Sequence, residues 1–187
     1  MDEKKLAIRA RNGDKGAFEM LMVRYEKSLY NYIYRMTGDR ELSLDLTQEA
    51  FLKSYLSIKD FNARYSFSTW LWRIAHNLVI DHFRKKKLNK VSFHAEVDGE
   101  DVEFDVPGNE KSPYEKMLNK ERREIIMEAL EKIPPEMKEL IILRHFNELS
   151  YQEIAEVTGL PFHAVKSKLY RAREALRKRL EAYREAL

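Results

Sequence analysis

Residues 150–174 read SYQEIAEVTGLPFHAVKSKLYRARE. Ser150 is followed three residues later by Glu153, the spacing of a capping box, in which hydroxyl and carboxylate each satisfy a free backbone N–H at a helix start. A short helix therefore begins here, with Ile154, Ala155 and Val157 on its apolar side. Ala155 is small, as a residue must be where two helices cross closely. Gly159 stands four residues later, at the turn, and Pro161 follows it. Leu160, Val165 and Leu169 face back toward the first helix. Phe162, His163, Lys166, Ser167, Tyr170 and Arg171 are left on the outer face of the second. This pattern predicts a helix-turn-helix, whose second helix enters the DNA major groove with its N-terminal residues at base edges. Lysine and arginine on that face supply phosphate neutralisation and guanine contacts. Two ordinary packed helices with a solvated basic face are the competing reading.

The rest of the chain is read outward from this element. It has 187 residues, 34 Lys plus Arg against 31 Asp plus Glu, and no cysteine. The missing cysteine removes disulfide frameworks, Cys-ligated zinc, iron–sulfur clusters and thiol catalysis together, and fits a reducing compartment. The start, MDEKKLAIRARNGD, is too charged for a signal peptide, and no stretch approaches the roughly 18 apolar residues of a spanning helix. A cytoplasmic protein without membrane insertion is expected. The five histidines (76, 82, 94, 145 and 163) show no metal-ligand spacing. No glycine-rich phosphate loop or nucleophile elbow is present. No enzyme chemistry, metal or cofactor is therefore expected.

Charge is segregated along the chain. Residues 1–95 carry 18 basic and 11 acidic side chains, a balance of +7, whereas residues 96–116 carry 2 and 8, a balance of −6. Residues 117–187 carry 14 and 12. Helical spacing runs through residues 2–12, 15–37, 41–58 and from Ser68 or Thr69, either of which can cap, into the tract Arg84-Lys85-Lys86-Lys87. Leu42, Leu46, Ala50 and Tyr55 are the expected inward positions of the third helix. Residues 88–113 have no sustained period. Helical pattern resumes at Met117, breaks at Pro134-Pro135, and runs again from Glu136 to Phe146. The expected fold is all-α: two small helical domains, residues 1–90 and 117–187, on a flexible acidic linker, residues 91–116.

At this point the sequence resembles a family. LSYQEIAEVTGLPFHAVKSKLYRAREALR, residues 149–177, looks like the DNA-reading fourth region of bacterial extracytoplasmic-function sigma factors, the short two-domain members of the sigma-70 family. DLTQEAFLKSY, residues 45–55, resembles their helix that grips the RNA polymerase clamp. FSTWLWRIAHNLVIDHFRKKK, residues 67–87, resembles the segment that opens and reads the minus-ten promoter element. Two departures stand out: His163 and Ala164 replace a usual small residue and Thr, and Trp72 replaces a more frequent Tyr.

The resemblance implies a dissociable, non-enzymatic subunit of RNA polymerase that directs it to promoters, monomeric when free. Asp45, Gln48 and Glu49, spaced to share one helix face, would bind core polymerase. Phe61, Asn62, Ile74, Asn77, Arg84, Lys85 and Lys86 would bind minus-ten DNA, with Phe61, Ile74 and Asn77 lining a pocket for a flipped base. Trp72, Arg73 and His76 add aromatic, cationic and polar groups of the kind that hold single strands. Phe162, His163, Lys166, Ser167, Tyr170 and Arg171 would bind the minus-thirty-five element. Core polymerase, promoter DNA and an anti-sigma factor are the implied partners. The linker would thread the polymerase's nucleic-acid channel. The rival readings are a helix-turn-helix regulator acting on duplex DNA without polymerase, and a nucleic-acid-processing enzyme using acidic residues as metal ligands.

Overall fold

The computed structural model describes residues 2–89, 122 and 124–184. The expected linker, residues 91–116, lies outside them. The described residues form helices and connecting turns without strands, so the fold is all-α, as the sequence predicts.

The first unit is four helices: α1 (Glu3–Arg11), α2 (Lys15–Thr37), α3 (Arg40–Ser57) and α4 (Phe67–Asn89), with a 3-10 turn at Ile58–Asp60. Short polar side chains start three of them: Asp2, Asp14 and Asp39 each accept from a backbone N–H of the first turn, filling donors a helix start leaves free. Ser66, not Ser68 or Thr69, caps α4, its Oγ accepting from Thr69 N at 3.1 Å. Gly38 ends α2 at φ 70°, a left-handed conformation that costs glycine little. α1 is stapled across the bundle by Glu3, which accepts from the Tyr25 hydroxyl and from Ser68 N.

An aromatic cluster fills this unit. Phe67 meets Phe18, Phe61 and Trp70 with ring centroids 5.7–6.4 Å apart, the edge-on and tilted geometry that ring quadrupoles favour. Phe18 also takes the edge of Tyr55, but Tyr55 is only partly covered. The inward stripe of α3 is instead Leu46, Thr47, Ala50, Phe51 and Ser54. The difference is physical: Ser54 and Thr47 bury because their hydroxyls bond back to the helix carbonyls of Phe51 and Ser43, so their polarity does not keep them at the surface.

The second unit holds a helical stretch over residues 124–131, here α5, then α6 (Pro135–Ile141), which runs on as a π-turn at Ile142–Phe146, then α7 (Tyr151–Thr158) and α8 (Phe162–Arg184). Pro135 opens α6 at a position where its missing N–H costs nothing. Ser150 and Glu153 form both bonds of the expected capping box, and Gly159 ends α7 at φ 70°. Ile154, Ala155, Val157, Val165 and Leu169 are buried, and Leu160 is half-buried against them.

The two units pack on each other. α4 lies along α7, and the C-terminal half of α2 meets α6 and the π-turn. Trp72 is buried edge-on to Tyr32. Two buried charged side chains of α6 reach across. Lys138 donates to the Met36 carbonyl at 3.3 Å, a cation at the negative end of α2. Burial holds its pKa below the usual lysine value, with Glu131 opposing. Glu139 accepts from the Tyr32 hydroxyl at 2.6 Å and faces His76 Nδ1 at 2.5 Å through the same oxygen. Burial, then the Glu139 charge, pushes the Tyr32 phenol well up.

Candidate nucleic-acid interface

The outer face of α8 is built by phase. Val165, Leu169 and Ala172 fall on one side of the helix and are buried against α7 and α6. Phe162, His163, Lys166, Ser167, Tyr170 and Arg171 fall on the other and are all exposed. The structure therefore brings all six expected side chains to one solvent face. Phe162 and Tyr170 are 56% and 66% exposed, far more than aromatic rings with a folding role show. Ser167 Oγ donates back to Ala164 O at 3.1 Å, which leaves its lone pairs outward. The start of α8 is set by Pro161, whose carbonyl accepts from Ala164 and Val165.

α4 is divided in the same way. Leu71, Ala75, Leu78 and Val79 are buried in the first unit. Arg73 and Asn77 are exposed and Ile74 is half-buried beside them. Arg84, Lys85 and Lys86 project from the last described turns, Arg84 held to Asp81 at 2.9 Å. His82, among these cations, has its pKa lowered by burial first and by Lys86 next. The loop before α4 is shaped by Asn62, whose side-chain oxygen accepts from Arg64 N at 3.0 Å. That leaves Arg64 and Tyr65 at the surface.

Phe61 sits under this loop, 3% exposed, against Phe67 and Trp70. It is the floor of the region rather than a free ring. Trp72 and His76 do not join the α4 surface as the sequence suggests. Both belong to the contact with the second unit, Trp72 at 4% exposure and His76 bound to Glu139. Trp72 and His76 stand one residue, about 100° of helix, round from Arg73 and Asn77, and so face a different neighbour, which is invisible from sequence.

On α3, Asp45, Gln48 and Glu49 are exposed on one face, with Glu49 paired to Lys53 at 2.9 Å. Sequence reasoning missed the apolar part of this face: Leu44, Leu52 and Leu56 are 48%, 58% and 72% exposed. The signal was present, since Asp45, Gln48, Glu49, Leu52 and Leu56 follow one helical stripe. Such a mixed patch, apolar with carboxylates beside it, is what a protein partner with a basic rim covers. Among the described residues no group of three His, Asp or Glu is placed to hold a metal ion. No helix among them is long and apolar enough to cross a membrane.

Known proteins resemble this chain along most of its length. Residues 21–88 match the family model of sigma-70 region 2, and residues 123–176 match that of sigma-70 region 4. The chain is 36% identical to the ECF RNA polymerase sigma factor SigW of Bacillus subtilis over 180 residues, covering 95% of this chain and 96% of that one. It is 33% identical to the RNA polymerase sigma-H factor of Pseudomonas aeruginosa over 96% of this chain and 94% of the relative. Among solved structures, CnrH in complex with the cytosolic domain of CnrY superposes with a TM-score of 0.71 at 24% identity, covering 96% of this chain and 97% of CnrH. The sigma factor RpoE in complex with the anti-sigma factor NepR, from Bartonella quintana, gives 0.70 at 19% identity, covering 88% and 96%. At these identities the structural likeness is one of fold.

Proposed function

The chain belongs to the extracytoplasmic-function sigma factors of the sigma-70 family, and from that premise we propose how its faces divide the work of promoter recognition. As an RNA polymerase sigma factor it is an initiation factor and not an enzyme; bond-making belongs to the polymerase. Residues 1–90 act as the unit that binds core polymerase and opens the minus-ten element. Residues 117–187 act as the unit that reads the minus-thirty-five element as duplex, and residues 91–116 join them.

The observation that carries this reading is the placement of two separate solvent faces, one on α4 and one on α8, each basic or polar and each backed by its own buried stripe. Duplex recognition uses α8. Lys166 and Ser167 stand at base edges, Arg171 at a phosphate, and Phe162, His163 and Tyr170 supply apolar and polar edges around them. Capture of melted strand uses α4 and its loop. A base swung out of the stack would lie beneath Asn62, above Phe61 and against Ile74, with the Asn77 amide offering donor and acceptor to its edge. Arg84, Lys85 and Lys86 follow the backbone. Asp45, Gln48 and Glu49, with Leu52 and Leu56, dock on the polymerase clamp. The chain works in the cytoplasm as a monomer when free, and its regulatory partner is an anti-sigma factor, the class of partner bound to RpoE in the complex with NepR.

Run-off transcription with core polymerase, with and without this chain, tests the assignment. Promoter-dependent transcripts only in its presence are expected. Stable, polymerase-independent binding to duplex by a dimer, with no stimulation of core polymerase, would overturn it.

A further inference from the structure

On the reading that the loop before α4 captures a melted base, we propose that α1 is the brace that holds this loop in its receptive shape, with Glu3 and Arg11, at the two ends of α1, as positioning residues for base capture. The loop runs from Phe61 to Ser66 and leads into the first turn of α4. Its own bonds are local: Asn62 accepts from Arg64 N through its side chain and from Tyr65 N through its carbonyl. Local turns shape the tip but do not fix where the loop stands against the α4 surface. α1 supplies two bonds from outside. Glu3 Oε1 accepts from Ser68 N at 3.1 Å, and Arg11 Nη1 donates to the Phe61 carbonyl at 3.5 Å. Both span the chain, so neither is a by-product of local geometry. Glu3 and Arg11 lie at opposite ends of the helix, about 12 Å apart along its axis. Two ends of the loop are thus tied to two ends of one rod.

Each tie has its own chemistry. The start of α4 leaves backbone donors free. Ser66 takes Thr69 N, and Glu3 takes Ser68 N while bringing a negative charge to the positive end of the helix. The other Glu3 oxygen accepts from the Tyr25 hydroxyl at 2.5 Å. Burial, then Glu3 itself, pushes the Tyr25 phenol's pKa up, so Tyr25 keeps its proton and fixes the direction of the carboxylate. At the far end, Arg11 makes a longer, charge-assisted bond to the backbone of the residue whose ring floors the region. That ring is wedged between Phe67 and Trp70, so a shift of the Phe61 backbone moves the floor. The seat of α1 does not depend on these bonds: Leu6, Ala7 and Ala10 are buried beneath it. Glu3 and Arg11 can therefore be altered with the apolar seat retained.

The test uses holoenzyme and a promoter bubble. An abasic site is placed in turn at each melted non-template position of the minus-ten element, and the position where parent affinity falls most marks the captured base. Glu3→Ala should lower affinity for the intact bubble on the order of tenfold, the scale of one hydrogen bond to a charged group. Arg11→Ala should lower it by less, because its bond is longer, and keeps the test valid if Glu3→Ala perturbs folding in circular dichroism. Binding to unmelted duplex should not change. With the abasic site at the marked position, parent and variants should bind alike, since the coupling between brace and base is then absent. Glu3→Gln, which keeps an acceptor oxygen, should recover much of the loss, and Lys5→Ala, at an exposed residue of the same helix, should match the parent. Folded variants that hold the intact bubble as the parent does overturn the brace. So does a loss equally large on the abasic template, which would make α1 a structural helix alone. Failure of the base-capture reading has a different signature: no abasic position weakens the parent, Asn77→Ala leaves bubble binding intact, and the brace falls with the pocket.

Discussion

Asn77 is exposed in the middle of a 23-residue helix, where asparagine has low helix propensity and makes no contribution to the core. Its proposed ligand is an unstacked base, which exists only after the duplex melts. Asn77→Ala should therefore spare closed-complex binding, reduce permanganate-detected melting, and be partly rescued on a pre-melted template. Equal loss on duplex and bubble would point to a structural role. Arg171, exposed on α8, makes a different kind of contact. Arg171→Ala should lower the slope of log affinity against log salt by about one unit, since one phosphate contact is lost. Lys166→Ala should instead shift sequence preference, by about 1–3 kcal/mol at one base pair. Promoter occupancy by holoenzyme that is unaltered by both changes at moderate salt would remove α8 from the groove. Single residues were legible from sequence to this extent: helical phase alone put the six α8 side chains on one face, because Val165, Leu169 and Ala172 define the opposite one.

Helices carry their own predictions. The α7 start rests on a reciprocal capping box, Ser150 Oγ accepting from Glu153 N at 3.2 Å and the Glu153 carboxylate accepting from Ser150 N at 2.8 Å. Ser150→Ala should cost about 1 kcal/mol in urea unfolding, with DNA affinity falling only as far as α7 frays. The α3 face predicts the reverse. Asp45→Ala with Gln48→Ala should leave stability within about 0.5 kcal/mol, because neither group is buried, and should weaken co-elution with core polymerase. Native circular dichroism with unchanged core affinity would reject the docking face. Among the described residues, helix limits were readable to within a residue or two because aspartate, serine, glycine and proline mark them chemically; the expected start at Met117 lies outside those residues. The Ser54 and Thr47 burial on α3 was not, since serine and threonine can turn their hydroxyls onto their own helix and pass as small core residues. Tyr55 was placed inward for the same reason: an aromatic ring outbids a serine in any periodicity argument, yet here it covers the edge of the core and stays 41% exposed.

At the scale of the whole molecule, sequence periodicity could assign each helix to a unit but not one unit to the other. Lys138 and Glu139 look like solvated charges between Met137 and Leu140, and only the approach of Met36, Tyr32 and His76 explains their burial. What sequence does expose at this scale is the distribution of charge. Glu96, Asp98, Glu100, Asp101, Glu103 and Asp105 place six negative charges in ten residues between two halves whose balances are positive. A tether kept soluble by charge would need nothing more. The proposed placement of this segment in the polymerase's nucleic-acid channel asks more of it. A channel that holds RNA must offer cations, a run of carboxylates can occupy them, and the occupant must leave as the transcript lengthens. Replacing the six acids by Asn or Gln keeps length and roughly keeps bulk while deleting the charge. The altered chain should bind core polymerase less tightly at low salt, and the difference should shrink as ionic strength rises, because the Debye length falls from roughly 30 Å at 0.01 M to about 8 Å at 0.15 M. Its ratio of short abortive products to full-length transcript should change as well. Affinity, salt dependence and abortive ratio that all match the parent would reduce the segment to a spacer, and the charge segregation of the chain would then serve solubility alone.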